Sequence, residues 1–190
     1  FLFENMDISI RNIEDIEAVL KLPVLGVIPS IPAERRMDDW LTYILRRQRV
    51  TVHSFRSMLL SNKRASGMAM EFYYSLRSNI LTQLKRKRGA VLVFGSAGKA
   101  EGKTLTSINF ALACVRSGMK TMVIDADIRR PWMHHVLGVG RDPGLSDVLA
   151  GKMDWREAAR DSAAILAEGI SFPELRIFQG IGNLHALSCG

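Results

Sequence analysis

The apolar positions of this chain fall into short blocks whose spacing predicts an alternation of helices and strands. Residues 12–20, NIEDIEAVL, read as a short helix with acids at its start, and Pro23 stops it ahead of VLGVIP, an apolar run ended by Pro29 and Pro32. From residue 33 to 67 the pattern weakens into a basic stretch with one strong apolar block, WLTYIL, and reads as a linker. Residues 68–87, MAMEFYYSLRSNILTQLKRK, return to helical spacing and end in cations, which suit the C-terminal end of a helix dipole. AVLVFG, residues 90–95, is a continuous apolar run of the kind a parallel strand buried on both faces shows. A helix from about 103 to 117 follows, stopped by Gly118, and TMVID at 121–125 is the second strand. Beyond it the pattern predicts a helix opened by Pro131, helices near 145–150 and 155–167, and a strand at LRIFQ, residues 175–179. SAAILAEG, residues 162–169, is apolar enough to mimic a strand, but it continues REAARD without a break and its alanines favour a helix.

Strand, helix and strand between residues 90 and 125 make a βαβ unit, so the fold expected is α/β with a parallel sheet and flanking helices. The right-handed crossover of such a unit brings the loop after its first strand and the end of its second strand to one sheet edge. At that edge the sequence puts GSAGKAEGKT, residues 95–104, and MVIDADIRRP, residues 122–131. A nucleoside triphosphate needs N–H groups around its phosphates, a lysine, a hydroxyl on Mg²⁺ and a carboxylate near the metal. The candidates are the backbone of Gly98, Lys99, Ala100, Glu101, Gly102, Lys103, Thr104 and Leu105 for the phosphates, Lys103 for the β and γ phosphates, and Thr104 for the metal. Asp125 and Asp127, at i and i+2, point to one face of a straight strand and fit Mg²⁺ or its water shell, or a hydroxyl proton. The strict pattern GxxxxGK[ST] is not met, because its first glycine falls on Ala97; the relaxed form [AG]xxxxGK[ST] is. The expected cofactors are ATP and Mg²⁺.

Composition adds bounds rather than detail. With 47% hydrophobic and 24% charged residues over 190 positions, the chain has ordinary globular composition and enough length for a core. Cys114 sits in an apolar helix and Cys189 far from it, which suggests neither a metal site nor a disulfide framework. His134 and His135 are neighbours on a helix and are expected to point apart at its surface, which argues against a shared metal. The formal charge of +7 is concentrated in Arg35-Arg36, Arg46-Arg47-Arg49, Lys63-Arg64 and Lys85-Arg86-Lys87-Arg88. These clusters read as solvated helix ends or as a face toward anionic lipid; no nucleic-acid motif accompanies them. The chain opens at Phe1 without a signal peptide or an 18-residue apolar window, and it reads as a piece of something longer, with any membrane segment ahead of Phe1.

Together these residues resemble the bacterial tyrosine kinases of capsule and exopolysaccharide synthesis, whose kinase domain is of the P-loop ATPase superfamily. AEGKTLTSINFALACVRSG is similar to their first phosphate motif and its helix, VIDADIRRP to their DxDxR motif, and GLSDVLAG at 144–151 is also shared. SIRNIEDIEAVLKLPVLGVIP resembles the segment that joins a polysaccharide co-polymerase to its fused kinase. The resemblance implies a protein at the cytoplasmic face of the bacterial inner membrane that passes the γ-phosphoryl of ATP to tyrosines of neighbouring subunits in a homo-oligomer, acting with the polysaccharide polymerisation and export machinery. It implies that Lys103 and Thr104 hold phosphate and Mg²⁺, that Asp125 supports the metal, that Asp127 activates the tyrosine hydroxyl, and that Arg129 completes the second motif. The domains it suggests are a juxtamembrane segment at 1–32, the basic linker at 33–67, and the N-terminal part of a kinase domain at 68–190, the fold being incomplete at its C-terminal side.

Four departures from the family pattern stand out. Lys99-Ala100-Glu101-Gly102-Lys103 replaces the usual PGEGK, and if position 100 needs a positive φ, alanine there costs about 1 kcal/mol. The oligomerisation motif ExxRxxR appears as Glu71, Tyr74 and Arg77, without its middle arginine. After LRIF comes QGIGNLHALSCG, with no hydrophobic strand ending in Asp, so the third nucleotide motif is not expected here. The tyrosines are Tyr43, Tyr73 and Tyr74, with no C-terminal cluster to receive phosphate, so autophosphorylation of the usual kind is not expected. A chromosome-partition or division-site ATPase of the same superfamily (ParA or MinD type) and a catalytically degenerate co-polymerase scaffold are the competing readings.

Overall fold

The centre of the molecule is a helix with no solvated side along most of its length. In the computed structural model, which describes residues 13–29, 59, 63–84, 89–98, 100–168 and 178–190, α3 runs Lys103–Arg116 and its residues 108–115 are all buried. A helix apolar on every side must be covered on every side. The preceding described helices are α1, Ile13–Leu20, and α2, Lys63–Leu84. α2 covers one face of α3 through Tyr73 and Leu76, and the opposite face rests on a parallel pair of strands, β1, Thr121–Ile124, and β2, Leu184–Leu187. Thr121 pairs with Leu184 and Ile124 with Leu187.

Polar groups fix how α2 and α3 meet. Arg77 Nη1 donates to the Ala113 carbonyl at 3.0 Å, and Asn109 Nδ2 lies 3.5 Å from the Tyr73 hydroxyl in the buried contact. Burial pushes the Tyr73 phenol above its ordinary range. The segment after α1 folds back onto α2: Glu17 accepts from the Val24 N–H at 2.8 Å, and Asn79 donates to the Leu25 carbonyl at 2.8 Å. α3 ends where Gly118, at φ 81°, lets the chain turn left-handed, with Gly118 N–H on Val115 and Met119 N–H on Cys114. Gly180 is required for a different reason: a Cβ there would lie 2.1 Å from the Val115 carbonyl oxygen.

Four short helices complete the described fold: α4, Met133–Leu137; α5, Leu145–Leu149; α6, Trp155–Ala158; and α7, Ser162–Glu168. The single helix expected at 155–167 is therefore two. Between α6 and α7, Arg160 pairs its backbone with Ala186 of β2 as an antiparallel bridge, and that pairing interrupts the helix. The Arg160 side chain then ties the surrounding loops together. Nη1 donates to the Pro143 carbonyl at 2.9 Å and to Ser188 Oγ at 3.2 Å, Nη2 to the Asp142 carbonyl at 2.7 Å, and Nε meets Glu168 at 3.4 Å.

Three further expectations change. The long helix begins at Lys63, five residues inside the stretch read as linker. Residues 90–94 are extended but join no ladder among the described residues, and their burial is one-sided: Leu92 and Phe94 pack on the core, Phe94 against Phe110 at 5.6 Å, while Val91 and Val93 are 92% and 91% exposed. The apolar run has the composition of a doubly covered strand but only one of its faces is covered. QGIGNLHALSCG carries a strand, β2, which does not end in Asp; LHAL supplies both a ladder for β1 and buried side chains for the core. Of the strand expected at 175–179, residues 175–177 lie outside the described residues, and Phe178 and Gln179 are not in a strand.

Burial pushes the Cys114 thiol up to about 11, with Arg77 acting in the opposite direction. A free thiol ionises near 8.5, so the unfolded chain loses this proton first as pH rises. The stability associated with the protonated thiol is complete below about pH 8.5 and is lost as pH climbs through about 11. Urea midpoints measured from pH 8 to 11 should fall, and Cys114→Ala should flatten that fall relative to wild type.

Candidate nucleotide-binding site

Chain direction decides where the loop must sit. α3 leads through Gly118 directly into β1, so the two run in opposite senses and the N-terminus of α3 lies toward the end of β1 where Asp125 begins. The first turn of α3 has no side-chain cap; its N-cap is Gly102, at φ 89°, and the first helical bond is Thr106 N–H to the Gly102 carbonyl at 2.8 Å. An uncapped helix start presents N–H groups and the positive end of the helix dipole, which together favour an anion. Lys103 and Thr104 are the first two residues of that helix, with Leu105 next.

The loop before it is shaped by two left-handed residues. Ala100 has φ 60° and Gly102 φ 89°, so the position at which the sequence departs from the family glycine does demand a positive φ. The alanine is held in a conformation that costs an L-residue about 1 kcal/mol. Ser96 Oγ donates to the Gly98 carbonyl at 2.9 Å, and the Gly98 N–H donates to the Glu101 carboxylate at 2.8 Å. Lys99 lies outside the described residues.

The two aspartates differ sharply in environment. Asp125 is only 9% exposed. One of its oxygens accepts from the Trp132 and Met133 N–H groups at 3.0 and 3.1 Å and the other from the Asp127 N–H at 3.2 Å, so the carboxylate closes the 125–133 loop and holds the start of α4. Asp127 is exposed and accepts from the Arg130 N–H at 3.1 Å; Arg129 beside it is exposed too. β2 ends against the same place: Asp125 N–H bonds the Leu187 carbonyl at 3.0 Å, and burial, reinforced by Asp125 and Asp127, pushes the Cys189 thiol up. The sequence marked Asp125 as chemical and missed its backbone work, whose only signal was an acid seven residues ahead of a helix start.

The histidines are not placed as expected. His134 and His135 do not point apart: their ring centroids are 4.0 Å from each other, with Trp132 4.9 Å from His135. Burial and His135 lower the pKa of His134. Among the described residues no three His, Cys, Asp or Glu side chains group as a metal site. The oligomerisation positions are likewise unequal, Glu71 being exposed, Tyr74 half-buried and Arg77 turned inward with its guanidinium 5.3 Å from the Tyr74 ring centre.

Known proteins resemble the chain in both sequence and shape. The tyrosine-protein kinase Ptk of Acinetobacter johnsonii is 26% identical over 160 residues, 84% of this chain and 20% of that protein. The tyrosine-protein kinase Wzc of Salmonella typhi is 30% identical over 108 residues, 57% of this chain and 15% of that protein. The solved BceF tyrosine kinase domain superposes with a TM-score of 0.66 at 23% identity, covering 96% of this chain and 63% of that domain. No protein-family model matches. The resemblance to bacterial tyrosine kinases thus holds in sequence, and the shared fold is their P-loop NTPase-like α/β domain. The chain spans about a fifth or less of the length of these relatives.

If Asp125 is chiefly a backbone acceptor, its loss should destabilise the fold and that of Asp127 should not. Removing an acceptor from three N–H groups predicts that Asp125→Ala lowers unfolding free energy by about 3 kcal/mol, against about 0.5 kcal/mol or less for Asp127→Ala, by urea denaturation.

Proposed function

We propose that this chain is the nucleotide-binding part of a bacterial protein-tyrosine kinase that uses Mg·ATP, works at the cytoplasmic face of the inner membrane, and regulates polymerisation and export of capsule or exopolysaccharide. The observation that carries the reading is the convergence of an uncapped α3 N-terminus, a loop with two left-handed residues, and an acidic strand end at one edge of a parallel sheet. Relatives called tyrosine-protein kinases support it. The residues fit the nucleotide. Lys103 and the N–H groups of residues 98–105 would hold the phosphates, and Thr104 would hold Mg²⁺. Bound Mg²⁺ supplies charge neutralisation on the phosphates.

An ionised carboxylate has room for about four accepted bonds. Asp125 spends three on backbone, so in this reading it supports the metal as a rigid post with limited remaining capacity. Exposed Asp127 would accept the proton of a tyrosine hydroxyl, and exposed Arg129 would steady charge on the transferred group. Such transfer is mainly positioning and charge compensation, which rigid, backbone-anchored groups provide. The acceptor tyrosines belong to neighbouring subunits in this reading. Among the chain's own tyrosines, Tyr73 is 1% exposed and Tyr74 half-covered, while Tyr43 lies outside the described residues. Assembly through the ExxRxxR positions would require Arg77 to leave the Ala113 carbonyl, which makes that route costly. Among the described residues no helix is long and apolar enough to cross a membrane.

Two measurements test this. In the full-length protein, mass spectrometry after incubation with Mg·ATP should find phosphotyrosine in wild type and none in Lys103→Met; wild type without phosphotyrosine refutes the kinase reading. In the 190-residue chain, Ala100→Gly relieves the left-handed alanine and should tighten ADP about fivefold by calorimetry, the equivalent of about 1 kcal/mol.

A further inference from the structure

The loop contains a side chain whose contact competes with the ligand it is built for. Glu101 lies between Ala100 and Gly102, both left-handed, and this double reversal turns its side chain back across the loop. There one carboxylate oxygen accepts the Gly98 N–H at 2.8 Å. Gly98 makes room for it: a Cβ at that position would lie 2.7 Å from the other carboxylate oxygen. Gly98 N–H is one of the donors that a phosphate bound ahead of α3 would use, and a single N–H facing a carboxylate cannot also serve a phosphate of the same charge sign.

We propose that Glu101 is an affinity-setting competitor for nucleotide phosphate, holding the Gly98 N–H until phosphate displaces it. The proposal rests on the nucleotide-binding reading and adds to it a residue that opposes binding. Displacement is feasible because Glu101 is exposed and loses only a solvent-accessible bond on swinging out. The cost falls on every ligand that takes the Gly98 N–H, so it lowers the affinity of each by the same factor and leaves their ratio unchanged. Glu101 thereby sets how tightly the loop holds phosphate, not which nucleotide it prefers.

The experiment is calorimetric titration of the 190-residue chain with Mg·ADP and with AMP, comparing wild type, Glu101→Ala, Glu101→Gln and Lys103→Met. Glu101→Ala should bind Mg·ADP tighter by on the order of three- to tenfold, the scale of one charge-assisted hydrogen bond at an exposed site. Glu101→Gln, which keeps an acceptor but not the charge, should fall between, and the ratio of ADP to AMP affinity should stay unchanged in both. In ¹⁵N-resolved spectra the Gly98 amide proton should move upfield in Glu101→Ala before any ligand is added. Lys103-dependent binding that is unchanged or weaker in Glu101→Ala overturns this inference and leaves the nucleotide reading intact. No Mg·ADP binding by wild type and Glu101→Ala alike overturns both.

Discussion

The structure depends on burying α3 on all sides. Eight successive residues, 108–115, are inaccessible, and a helix so apolar is stable only when α2 covers one flank and the β1 and β2 ladder the other. Once it is buried, its direction is settled by the short left-handed exit at Gly118 into β1. The helix start and the strand end then have to share an edge. In the proposed reading the anion site is a by-product of packing and chain direction, with the N–H groups of the first turn of α3 set by the helix and the Gly98 N–H held by Glu101. Preorganisation of this kind is what charge stabilisation in phosphoryl transfer requires.

A second consequence is a division of labour among groups that look alike in the sequence. Asp125 and Asp127 are two residues apart, yet one is buried on three backbone donors and the other faces solvent. The first keeps the 125–133 loop in place so that the second, and Arg129, stand beyond the strand. Arg160 does comparable work on the far side of β2, where carbonyls of Asp142 and Pro143 and the hydroxyl of Ser188 converge on one guanidinium. Arginine suits that position because its planar fork presents five donors at once. Both residues spend charge on holding loops, and the loops in turn hold the ends of the ladder.

The segment at 90–94 and the end of β1 tell the opposite story. Val91 and Val93 on the extended segment and Ile124 at the end of β1 are exposed, although β-branched apolar residues of this kind favour coverage. Leu92 and Phe94, alternating with them, are packed on the core. The alternation is the period-2 pattern of a strand with one occupied face, although the segment joins no ladder among the described residues.

Much of this could be read in the chain without coordinates. α1, the body of α2, α3 and β1 follow from local spacing and punctuation: a run of apolar residues at helical period, a glycine after Ser117, a four-residue block with three β-branched members. The loop stood out because small residues, lysine and hydroxyl fall at fixed offsets, and the family comparison raised the condition of a positive φ at position 100, which Ala100 meets. What local sequence could not specify were pairings between distant segments. LHAL became β2 only because β1 offered a ladder, the 155–167 helix broke only because Arg160 met Ala186, and Asp125 turned from exposed strand end to buried acceptor because Trp132 and Met133 came round to it. Nor did helix periodicity reveal that the His134 and His135 rings lie 4.0 Å apart, with Trp132 beside His135. The residue types and their spacing determined that an uncapped helix start and a left-handed loop would stand at the same sheet edge as two acids. Tertiary structure alone decided which acid faces solvent and which N–H Glu101 occupies, because burial and hydrogen-bond partnership belong to the packed chain and to no single stretch of it.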